Sequence, residues 1–170
     1  MDRLIKIAQA DQYRIGPRKG TWALLVRDFN RDLTPAQLVV DPVLEPVDKV
    51  VWLILQHHAR RAVTTLPRYP ELARQANVTT CKTVSRAMAM LRCTRWLTIC
   101  ERNWGHRKRR RGNVYVLHAT PFPVDDTMFL DPGYRDFVDL ATRHGRKGIR
   151  AVARCVLAGW QDPSQSRPSG

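Results

Sequence analysis

Between residues 69 and 118 the chain carries four local signals in an order that leaves few folds open. Residues 70–76 read as a short helix behind Pro70, and Asn77-Val78-Thr79 as a tight turn, Asn77 being a good left-handed stop residue. A second helix, capped by Thr79 or Thr80, then runs to about Leu91. On it Cys81, Val84, Met88 and Leu91 recur at steps of three, four and three, the mark of one buried stripe. A hairpin follows. In its first arm Leu97 and Ile99 share one face and Trp96, Thr98 and Cys100 the other; in its second, Val114 and Val116 oppose Tyr115 and Leu117. The loop between the arms, Trp104-Gly105-His106-Arg107-Lys108-Arg109-Arg110-Arg111-Gly112, contains five consecutive cations. Helix, turn, helix and basic-tipped hairpin predict an α+β winged helix-turn-helix core with a two-stranded basic wing.

The flanks extend this core. Upstream, Pro46 suits a first helical position and Glu45 complements the positive end of the helix dipole. Val47, Val50, Val51 and Ile54 form a stripe there, while Trp52, Leu53 and Leu55 make the helix apolar almost all round, as expected of an element buried on more than one side. His57, His58, Arg60 and Arg61 lie in or after its last turn, where cations are favourable. Earlier still, the clusters at 22–26 and 38–40 are broken up by Asn30, Pro35 and Pro42, which favours short strands. Downstream, Asp131 is expected to cap a helix with Pro132 at its first position. Tyr134, Phe137, Val138 and Ala141 form its stripe and Gly145 its end. A final helix carries Ile149, Val152, Ala153, Val156, Leu157 and Trp160 on one side. These two C-terminal helices either pack on the helix after Pro46, the default, or form a two-fold dimer interface. The expected organisation is a weakly structured basic arm over 1–36, the core over 37–120, the C-terminal helices over 121–160 and a disordered Pro/Ser-rich tail over 161–170.

Charge narrows the partners. The chain has 170 residues, with Lys+Arg 29 against Asp+Glu 15 and a formal net charge of +14, a field that attracts polyanions, nucleic acid ahead of acidic membrane. The N-terminus is interrupted by charge before an apolar signal core forms, and the longest apolar run, 50–55, is far below the ~18–20 residues of a membrane span, so a cytoplasmic, nucleoid-associated location is expected. The cysteines, Cys81, Cys93, Cys100 and Cys155, show no CxxC spacing and are expected to be reduced and mostly packed, without zinc.

Catalytic patterns are missing. No glycine-rich phosphate loop occurs. The adjacent His57-His58 lacks the intervening hydrophobe of a rolling-circle nuclease cluster, and Tyr13, Tyr69, Tyr115 and Tyr134 each have a packing explanation. Asp125-Asp126 reads as loop or helix-start charge rather than a metal pair. The expectation is therefore a non-catalytic protein with no cofactor and no metal. Double-stranded DNA is the expected partner, with a homodimer through the C-terminal helices and proteins of a replication complex as further possibilities. Thr79, Thr80, Lys82, Thr83 and Arg86 are the candidates for base edges, Arg68 and Tyr69 for positioning the backbone, and His106, Arg107, Lys108, Arg109, Arg110 and Arg111 for flanking phosphates. The competing classes are an adaptor for a protein or RNA partner and an accessory subunit of a nuclease or recombinase.

From Leu44 to about Trp160 the chain also resembles the pathogenicity-island replication proteins carried by integrative and conjugative elements of proteobacteria. The stretches that carry this resemblance are Val50-Val51-Trp52, Lys82-Thr83-Val84-Ser85-Arg86-Ala87, Leu91-Arg92-Cys93-Thr94-Arg95-Trp96-Leu97, Gly112-Asn113-Val114-Tyr115-Val116-Leu117-His118 and Leu130-Asp131-Pro132-Gly133-Tyr134. The chain departs from the pattern at Glu45-Pro46, where that family more usually has Thr-Pro, and residues 1–36 have no clear counterpart. The resemblance implies a DNA-binding winged helix acting in replication or maintenance of a mobile element; it supplies no catalytic residues.

Overall fold

The computed structural model describes residues 23–26, 34–59, 64–100 and 114–161. They form a mixed α+β, mostly helical structure. In chain order the elements are β1 (Ala23–Val26), α1 (Ala36–Val40), α2 (Pro46–Ala59), β2 (Thr64–Thr65), α3 (Tyr69–Gln75), α4 (Cys81–Cys93), β3 (Leu97–Cys100), β4 (Val114–Leu117), α5 (Val124–Leu130), α6 (Tyr134–Ala141) and α7 (Lys147–Gln161). The hairpin tip expected at 104–112 lies outside the described residues, as does the tail.

The junction between α3 and α4 forms as the side chains dictate. Asn77 adopts φ 52°, and the helix closes around it: Val78 N–H donates to the Ala73 carbonyl at 2.9 Å and Asn77 N–H to that of Arg74 at 3.2 Å. This pair of bonds satisfies two otherwise orphaned carbonyls at the end of α3. Two residues later Thr80, in extended backbone, caps α4 by accepting from Thr83 N–H at 3.3 Å. Leu72 and Ala73 are buried beneath the turn, and the small Ala73 lets α4 cross closely.

The sheet has the order β2-β1-β4-β3. The hairpin pairs antiparallel, with Leu97 opposite Leu117, Thr98 opposite Val116, Ile99 opposite Tyr115 and Cys100 opposite Val114. Alternation holds within the two strands, although Trp96, expected on the face of Thr98 and Cys100, lies just before β3 and packs in the main core; both faces are covered. Leu97, Ile99, Tyr115 and Leu117 pack with the main core of Trp52, Leu55, Leu72, Val84, Leu91 and Trp96. Cys100, Val114 and Val116 meet Phe122 and Leu130 in a second core. Leu130 at the end of α5 and Phe122 just before the helix supply that cover, a role the Asp125-Asp126 start does not advertise.

Several expectations need correction. Residues 38–40 belong to the short helix α1, opened by Leu38 N–H donating to the Pro35 carbonyl at 3.0 Å and tied to α2 by Lys49 Nζ on the Val39 carbonyl at 2.6 Å. Strand β1 pairs parallel with β4 and antiparallel with β2, placing part of the 1–36 arm inside the sheet. On α2 the sealed face is Asp48, Val51, Trp52, Leu55, Gln56 and Ala59, whereas Val50 stays 38% exposed. Asp131 does not cap a helix: α6 starts at Tyr134 behind Gly133 and ends at Ala141 rather than at Gly145, and Asp131 is fully buried. Its oxygens accept from Arg92 Nε at 2.8 Å, Arg92 Nη2 at 2.7 Å and Ile99 N–H at 3.3 Å. Leaving solvent is costly for a carboxylate, and the two-pronged guanidinium together with the strand N–H offsets that cost while tying α4 and β3 to the segment that carries Asp131.

The C-terminal helices join the main core through Tyr134, Val138, Ala141, Ile149 and Ala153. Their contact is mainly with α4, not with α2: Gly148 faces the Met90 side chain, and the Tyr134 hydroxyl donates to the Cys93 carbonyl at 2.8 Å. Arg146 and Glu45 form an ion pair that ties the start of α7 to the start of α2.

Candidate nucleic-acid interface

The candidate surface is the outer side of the α3–turn–α4 unit. The Thr80 cap sets where α4 begins, and Val84, Ala87, Met88 and Leu91 bury its inner side. The opposite edge is left to solvent: Thr79, Thr80, Cys81, Lys82 and Ser85 are exposed, with Thr83, Arg86 and Ala89 half-buried. Cys81 was expected in the buried stripe and instead opens the exposed edge, because the first turn of α4 projects past the core. Arg68 is exposed at the start of α3. Tyr69 beside it is half-buried and packs against the main core, and burial pushes its phenol above the ordinary value. His106, Arg107, Lys108, Arg109, Arg110 and Arg111 lie outside the described residues; the strands that lead to and from them, β3 and β4, are paired.

Electrostatics separates two kinds of cation. Many basic side chains have internal work. Arg92 holds Asp131 and lies 4.2 Å over the Phe137 ring, and Arg95 Nε donates to the Phe122 carbonyl at 2.7 Å. Arg143 pairs with Asp139, Arg146 with Glu45, and Arg150 donates to the His144 and Gly145 carbonyls. By contrast Arg68, Arg74, Lys82 and Arg86, all on α3 and α4 or their caps, have no acidic or carbonyl partner among the described residues. An unneutralised cation beside an exposed helix edge is what an incoming phosphate or base acceptor requires. Arg74, in the last turn of α3, was not among the residues chosen from the sequence.

Side-chain chemistry elsewhere is quiet. Burial pushes the Cys93 thiol up to about 12 and that of Cys100 to about 11, which keeps both protonated and unreactive. His58 Nε2 bonds Gln75 Oε1 at 2.9 Å, bracing α2 against α3 rather than closing the end of its own helix. Thr98 Oγ1 and His118 Nε2 are 2.9 Å apart in the second core, and His118 stacks on Phe122 at 4.2 Å. An open recess of about 420 Å³ lies between α2 and α3, lined by Val50, Leu53, Ile54, His57 and Gln75. Among the described residues no three His, Cys, Asp or Glu side chains converge in a way that would hold a metal ion, and no helix is long and apolar enough to cross a membrane. In comparisons with known proteins, no family model, no curated protein and no solved structure matches this chain.

Proposed function

We propose that this chain is a non-catalytic double-stranded DNA-binding protein built on a winged helix-turn-helix, acting in the replication or gene control of a mobile element. The observation that carries the reading is the outer edge of α4 with exposed Lys82 and Ser85 and half-buried Arg86 on it, together with exposed Arg68 and Arg74 at the two ends of α3, none of these cations having an acidic partner among the described residues. The hairpin supports it: β3 and β4 are joined by residues 101–113, which contain the run of five cations. In this reading α4 enters a major groove, the α3 cations hold the near backbone and the wing holds the far one. The mobile-element assignment rests on the family resemblance of residues 44–160.

The open recess between α2 and α3, together with Val39, Val40 and Val43 at 58%, 74% and 45% exposure, offers apolar surface to a protein partner, as an adaptor or accessory subunit would. Competition of one labelled duplex against single-stranded DNA and structured RNA separates the two. The duplex reading expects duplex competitor to be strongest, and preference for RNA, or no binding at all, favours the adaptor. With single-base-pair variants of that duplex as competitors, Arg86→Ala is expected to weaken discrimination at one base pair by about 1–3 kcal/mol.

A further inference from the structure

Thr80 and Thr83 are two of the side chains expected from sequence to meet base edges, and the structure engages both internally. Thr80 Oγ1 accepts from Thr83 N–H, and the two hydroxyls lie 3.1 Å apart. Thr80 Oγ1 is thereby engaged in the helix cap and Thr83 Oγ1 with its neighbour, so each keeps only part of its hydrogen-bonding capacity for a base edge. Ser85 is in the opposite situation. It sits inside α4, is exposed, and its hydroxyl has no hydrogen-bond partner among the described residues. A serine in mid-helix ordinarily returns its hydroxyl to the carbonyl four residues back, so a free one keeps both donor and acceptor available outward. Its neighbours on the same face, Cys81 and Ala89 at i−4 and i+4, are small enough to let so short a side chain approach a groove floor.

We propose, resting on the duplex-binding reading above, that Ser85 is a sequence-determining contact, working between Lys82 and Arg86, and that Thr80 and Thr83 are positioning residues that set where α4 begins. Three residues of helix advance about 4.5 Å, between one and two base-pair steps of about 3.4 Å. Ser85 therefore reads a base pair adjacent to, or one beyond, that met by Lys82.

Selection of bound duplexes from a randomised pool by the full chain, with sequencing, tests this. The unaltered protein and the Ser85→Ala, Lys82→Ala, Thr83→Val and Thr83→Ser variants are compared, each checked for folding by circular dichroism. Ser85→Ala is expected to reduce preference on the order of three- to tenfold at a single base pair one or two steps from the position changed by Lys82→Ala. Both Thr83 variants are expected to keep the preference unchanged, Thr83→Val with a lower melting temperature. A preference altered by Thr83→Val but not by Ser85→Ala overturns the assignment, as does duplex binding with no preference, and both leave the duplex reading intact. Failure of the unaltered chain to retain any duplex overturns that reading too.

Discussion

Asp48 and Asp131 are both sealed from solvent, at 1% and 0% exposure, but they meet opposite circumstances. Asp131 has a guanidinium on one side and a strand N–H on another. Asp48 accepts only from Glu45 N–H at 2.9 Å, closing the first turn of α2, and its Oδ1 has no partner among the described residues. Burial accordingly raises the Asp48 carboxyl from 3.8 to about 7. A folded-state value above the unfolded one favours the protonated form, so this contribution to stability is complete below about pH 4 and is lost as pH rises through 7. Thermal melts of Asp48→Asn are expected to exceed those of the unaltered protein at pH 8, with the gap closing towards pH 4; a gap independent of pH would assign the change to packing. For Asp131→Ala, which strands the partly buried Arg92, urea unfolding is expected to show a loss of about 3–5 kcal/mol, with an Arg92→Met, Asp131→Leu pair losing less than the single change. Neither carboxylate role was legible in sequence. Asp131 followed by Pro132 reads as a helix start, and its partner lies 39 residues upstream, a separation that local pattern does not span.

At the scale of elements, legibility tracked how local the cause was. The α3–α4 turn was readable because Asn77 and Thr80 act on backbone groups within a few residues of themselves. The hairpin arms were readable because strand alternation is local, although covering of their second face by Phe122 and Leu130 was not. The apolar cluster at 38–40 was misread because a five-residue helix is too short to show a period, and one buried residue, Leu38, anchors it. Two changes check the turn. Thr80→Ala is expected to cost about 1 kcal/mol by removing the cap. Asn77→Val, a β-branched residue at φ 52°, is expected to destabilise more than Asn77→Gly, which tolerates that backbone; equal losses would mean the asparagine side chain, not the conformation, matters. Chemical denaturation measures both.

For the whole molecule, the sheet and the C-terminal helices enclose the inner side of α4 and leave its outer edge bare. Lys82, Thr83 and Arg86 could be chosen from sequence as the side opposite the stripe, whereas the distinction between working and idle hydroxyls, and between paired and unpaired cations, required the three-dimensional arrangement. The central claim is that this edge and the basic loop grip one duplex together. Anisotropy titrations of a duplex between about 50 and 200 mM salt test it directly, with the unaltered chain beside an Arg109→Ala, Arg110→Ala, Arg111→Ala variant. The expected log K against log salt slope is about −4 to −5, flattened by about 2–3 in the variant at every duplex sequence. An unaltered slope in the variant would remove the loop from the interface, and a slope near zero in the unaltered chain would contradict duplex binding itself.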